Sequence, residues 1–158
     1  SIQYVELNPR YIFSPPHFDT PQEWAAYNRL VYNIKKVLPI AEEVNTIVIE
    51  TYEYLQTLPN KKARDAHMKY VEKSIRQEYE PRMKKLTYAQ GKLLIKLVYR
   101  ETNSSAYSLI KAFLGPIRAG FWQAFAWVFG ASLEKAYDPN GVDRLTERVV
   151  LQVQSGQL

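Results

Sequence analysis

A chain of 158 residues with 12 Tyr, 6 Phe and 3 Trp has ample large apolar surface for one buried core, which excludes the disordered class. The formal charge is +5 and there is no Cys, so disulfide scaffolds, cysteine catalysis and thiolate metal sites are excluded as well. Six Gly and nine Pro are too few and too scattered for a low-complexity segment, and no internal repeat signals a solenoid.

In chain order, residues 2–13 are rich in β-branched and aromatic side chains around an Asn8-Pro9 turn signal and read as a short extended arm or small hairpin. Pro15-Pro16 makes residues 14–19 a loop, so 1–19 is expected to be an arm and proline loop ahead of a helical domain over 20–158. Thr20, Pro21 and Glu23 form a capping-box start. From there Trp24, Tyr27, Val31, Ile34, Leu38, Ala41, Asn45, Val48, Tyr52 and Leu55 recur at spacings of three and four, with only Asn45 breaking the apolar stripe. Because the phase survives Pro39, the expectation is one long helix kinked there, with two helices meeting at Leu38-Pro39 as the alternative.

Asn60 caps a second helix, with a weaker face of Met68, Val71, Ile75 and Tyr79 and a predicted stop at Pro81. Thr87 and Gln90 form another capping box for a third helix to about Glu101, whose dense leucines, isoleucine and valine make it central. A fourth helix runs from Ser105 to about Leu114, and Gly115-Pro116 opens a fifth that ends at Gly130. A last helix is expected over about Asp143 to Gln154, although the alternation of Val149, Leu151 and Val153 leaves a strand open. The fold class is therefore all-α: five to six helices in one compact bundle-like domain, with a short extended N-terminal arm.

The charge is uneven. Residues 1–58 carry four basic and seven acidic groups, residues 59–100 twelve and four, and residues 101–158 five of each. The basic clusters are Lys61, Lys62 and Arg64, then Lys84 and Lys85 near the end of the predicted second helix. A solvated helix face is preferred over a patch for phosphate or an anionic membrane, and nucleic acid is disfavoured because its binders are more basic and more clustered. The aromatic stretch 120–131 is too short and too closely flanked by charge to span a bilayer. It is read as buried, with Trp122 and Trp127 as docking candidates if exposed.

Histidines are only two, His17 and His67, with no metal-binding spacing between them, so no metal and no cofactor are expected. No nucleophile motif surrounds the serines. Carboxylates leave one catalytic option: Glu101, with Asp138 and Asp143 around the turn at Asn140-Gly141, and Glu50 and Glu53 sharing another helix face. The structural reading is preferred, in which Asp138 caps the turn, Gly141 supplies a positive φ, Asp143 caps the last helix and Arg100-Glu101 is an ion pair.

The runs YNRLVYNIKKVLPIAEEVN (27–45), KKLTYAQGKLLIKLVYRET (84–102) and FWQAFAWVFGASLEKAYDPNG (121–141) resemble a family of Bacteroidota proteins labelled as domain of unknown function four-two-nine-four. The resemblance covers about residues 24–158 and implies an exported protein with a periplasmic or outer-envelope location. It brings no catalytic residues. A start at SIQYVEL without Met or leader is expected of a chain whose signal peptide has been removed or whose start was trimmed. The expected function is a non-enzymatic interaction or scaffold module of the envelope with a protein partner. Its binding candidates are Tyr4, Tyr11 and Phe13 in the arm, the two tryptophans and the basic clusters. The alternatives are an envelope hydrolase using Glu101, Asp138 and Asp143, and association with an anionic membrane surface.

Overall fold

The computed structural model describes residues 13–102 and 137–158, all of whose regular elements are helices. They are α1 (Pro21–Gln56), α2 (Lys61–Met83), α3 (Tyr88–Thr102) and α4 (Arg144–Gln154). The predicted arm up to Tyr11, the fourth and fifth helices, and the burial of Trp122 and Trp127 lie outside the described residues. Two compact units divide the chain, Ser1–Lys35 with Asp138–Leu158, and Lys36–Tyr137.

Helix α1 starts where the local chemistry dictates. Thr20 Oγ1 accepts from the Glu23 N–H at 3.1 Å, while the Glu23 carboxylate reaches back to the Asp19 N–H at 2.9 Å, one residue before the position a standard box would satisfy. The helix continues unbroken for 36 residues through Pro39. Tyr27, Ile34, Leu38, Ala41, Val48 and Leu55 of the stripe read from the sequence are buried, with Val37 and Val44 beside them, whereas Trp24 at its start is exposed. Pro39 itself is exposed and cannot donate to the Lys35 carbonyl. Pro39→Ala restores that donor and removes the ring clash, so a gain of about 1–3 kcal/mol is expected. Chemical unfolding checks it, and an unchanged or lower midpoint would contradict it.

In the Lys36–Tyr137 unit, α1 and α2 form a helical hairpin joined through residues 57–60. Asn60 Oδ1 accepts from the Ala63 N–H at 2.9 Å and caps α2. Two contacts define the pairing as antiparallel: Tyr54 against His67 near the loop, and Glu43 against Arg82 farther from it. Met68, Val71, Ile75 and Tyr79 are all buried, joined by Met83.

The predicted stop at Pro81 is corrected, because α2 runs on to Met83. Pro81 removes one backbone bond within the last turn, and long-range anchors hold that turn in place. Tyr79 and Met83, four residues apart, are both 2% exposed, and Arg82 Nη2 donates to Glu43 Oε2 at 2.7 Å. That bond also holds the Arg82 guanidinium above its usual pKa. Thr87 and Gln90 then make the reciprocal capping box, at 3.0 and 3.2 Å, and open α3. Leu94, Ile95, Leu97 and Val98 are buried in it.

The other unit contains the start of α1, the proline loop and α4. Phe18, Trp24 and Tyr27 form an aromatic cluster with ring centroids 5.0, 5.3 and 6.2 Å apart. The strand alternative for the C-terminal segment fails, since consecutive Val149 and Val150 are both fully buried within a helix. Gly156 ends α4 at φ +76, the left-handed region that favours glycine.

Candidate functional site

The carboxylates are accounted for by local structure. In the turn before α4, the Asp138 N–H donates to Asp143 Oδ2 at 2.9 Å and the Asn140 N–H to Asp138 Oδ1 at 3.2 Å. Asp143 stands at the N-cap of α4, but its side chain makes no bond to the first turn; being 3% exposed, it reaches back to Asp138 instead. The expected helix cap is therefore a turn staple. The positive φ expected at Gly141 is also absent. Glycine suits that position because a Cβ would lie 2.7 Å from Asp138 Cγ.

Glu101 belongs to the other unit. There Arg100 Nη1 donates to Glu101 Oε1 at 2.5 Å, with the two side chains 17% and 15% exposed, which is the ion-pair reading of that segment. The structure thus joins Asp138 to Asp143 within the turn, while Glu101, in the other unit, is held by its neighbour Arg100. Among the described residues, no group of three His, Asp or Glu could hold a metal ion, and no helix is long and apolar enough to cross a membrane.

The predicted basic clusters separate. Lys61, Lys62 and Arg64 sit in the first turn of α2, and Lys84 and Lys85 lie just past its end, about 30 Å away along the axis. Two of these charges are already used, Lys61 by Asp65 at 3.4 Å and Lys84 by Glu80 at 3.1 Å. Phe13 is not a free docking group either. The Arg148 guanidinium lies 5.3 Å over its ring and also donates to the Ser14 carbonyl. Tyr4, Tyr11, Trp122 and Trp127 lie outside the described residues.

A different arrangement stands out on the outer face of the α1–α2 hairpin. Tyr54 on α1 and Tyr70 on α2 are 50% and 66% exposed, although both are large aromatics. His67 lies between them, its ring centroid 4.4 Å from Tyr54 and 6.1 Å from Tyr70. Exposed Glu50 and Glu53 flank the rings on the α1 side, and exposed Lys69 and Lys73 on the α2 side, with Lys62 continuing that edge. None of these five charges has an ion-pair partner within the described fold. Glu50 and Glu53 do share a face, as their spacing indicated. The tyrosines were missed, although their signal was present: each stands beside a stripe residue, Leu55 or Val71, and so falls off the buried phase of its helix.

The described fold is that of an all-α protein built on a long helical hairpin, with an aromatic and charged outer face. The chain belongs to the family described as Domain of unknown function (DUF4294), whose model matches residues 1–152. No curated protein and no solved structure matches it.

Proposed function

We propose that this chain is a non-enzymatic interaction module of the bacterial cell envelope, with the outer face of the α1–α2 hairpin as its contact surface. One observation carries this reading: two exposed tyrosines around His67 are bordered by exposed charges that form no ion pair among the described residues. Protein interfaces enrich aromatic anchors at their centre and surround them with a polar, solvent-accessible rim. The prominent carboxylates elsewhere are engaged in a turn staple and an ion pair, which favours contact over chemistry. The sequence resemblance to exported Bacteroidota proteins supports an exported, periplasmic or outer-envelope setting, and a cysteine-free chain suits such a compartment.

Cell fractionation combined with in-cell cross-linking tests the reading. The chain is expected in the envelope fraction, cross-linked to a protein. Tyr54→Ser with Tyr70→Ser is expected to abolish that cross-link while leaving helical content unchanged. A cross-link indifferent to both substitutions would place the contact elsewhere and sink the assignment of the face.

A further inference from the structure

The hairpin face is electrostatically two-sided. Pairing of Tyr54 with His67 in an antiparallel hairpin sets Glu50 and Glu53 level with residues 68–71 of α2. At one level along the hairpin the surface therefore runs from Glu50 and Glu53, across Tyr54, His67 and Tyr70, to Lys69 and Lys73. One edge is acidic, the centre aromatic, and the opposite edge basic.

We infer that the occupant of this face is a second copy of the same chain, related by a two-fold axis that lies over the aromatic centre and runs parallel to the two helices of the hairpin. The inference rests on the interaction-module reading and names its partner. A two-fold operation about that axis lays the acidic edge of one protomer over the basic edge of its partner, and does so twice. It also brings the two aromatic centres together, where the exposed tyrosine rings shield one another from water.

Other occupants match only half of the surface. An anionic membrane or a nucleic acid complements Lys62, Lys69 and Lys73 but is repelled by Glu50 and Glu53 at the same level. An acidic protein leaves the glutamate edge facing like charge. Only a partner with the mirrored order of charges satisfies both edges, and this chain carries that order.

The patch spans a few turns of two helices, on the order of 500 Å² per protomer, at the low end for a specific interface. The dimer is accordingly weak and salt-sensitive. The Debye length falls from about 30 Å at about 0.01 M salt to about 3 Å at about 1 M, so the dimer forms at the lower salt and dissociates at the higher.

Analytical ultracentrifugation of the full chain tests this with two charge-reversed variants, Lys69→Glu/Lys73→Glu and Glu50→Lys/Glu53→Lys. All four positions are exposed, and circular dichroism verifies that each variant is folded. Wild type is expected to dimerise at low salt, and each variant alone to lose at least about tenfold in affinity because both edges then carry like charge. An equimolar mixture of the two variants is expected to regain the dimer. A wild-type chain that stays monomeric at low salt, or variants that dimerise as wild type does, would overturn the proposal. So would a monomer that binds phosphatidylglycerol vesicles through Lys69 and Lys73. If the chain is monomeric yet its envelope cross-link depends on Tyr54 and Tyr70, self-association falls and the interaction-module reading stands.

Discussion

Leu97→Ala is expected to destabilise the chain by about 3 kcal/mol, within the range found when a fully buried leucine is truncated. Leu97 is 0% exposed on α3, between buried Leu94, Ile95 and Val98. Alanine removes the transfer free energy of the lost carbons and leaves a cavity that close-packed neighbours fill only in part. For a chain of this length the loss corresponds to a fall in melting temperature of about 6–12 °C. Leu93→Ala on the same helix is the internal control. Leu93 is only half-buried, so its truncation is expected to cost clearly less. Equal losses at the two positions would contradict the orientation of α3.

The second large effect is a loss of stability in alkali traced to Tyr79. Burial, then the neighbouring Glu43 and Glu78, disfavours its phenolate and raises the pKa from 10.0 to about 12, against the opposing pull of Arg82. Between those values the folded chain keeps a proton that the unfolded chain has lost. The corresponding stability is complete below pH 10 and is lost as the pH rises through about 12. Unfolding midpoints measured from pH 9 upward are expected to fall more steeply for wild type than for Tyr79→Phe, which has no phenol to ionise. Parallel slopes would show that Tyr79 titrates normally. Tyrosinate absorbance provides a second reading, because Tyr79 should ionise later in the native chain than in the denatured one.

What was legible in the sequence was local or periodic. Thr20 with Glu23, Asn60, and Thr87 with Gln90 each satisfy backbone donors within four residues, so three helix starts could be read without tertiary information. The α1 stripe was legible because its phase repeats on both sides of Pro39. The end of α2 was not, since Arg82 is held by Glu43, 39 residues away. Gly141 was assigned to the wrong cause because crowding by the Asp138 side chain and a need for positive φ select the same residue.

The candidate face was illegible for a related reason. Glu50 and Glu53 drew attention as paired acids and His67 as a lone histidine. Their relation to Lys69 and Lys73 exists only once Tyr54 and His67 pair across the hairpin. Basic residues also attracted notice through sequence density, which favoured Lys61, Lys62, Arg64, Lys84 and Lys85. Folding instead separates charges by whether a partner is close by, and it leaves Lys69 and Lys73 on the outer face while Lys61, Arg82 and Lys84 are paired internally.

The two-fold contact is tested most directly by measuring distances between protomers. The absence of native cysteines allows a single spin label at exposed Ala66, one turn before Tyr70. Pulsed electron paramagnetic resonance at low salt is predicted to give a short, narrow distance between the two Ala66→Cys labels of a dimer, lost at high salt and on Lys69→Glu/Lys73→Glu substitution. No dipolar coupling between labels at Ala66 at any low-salt protein concentration would contradict the two-fold contact.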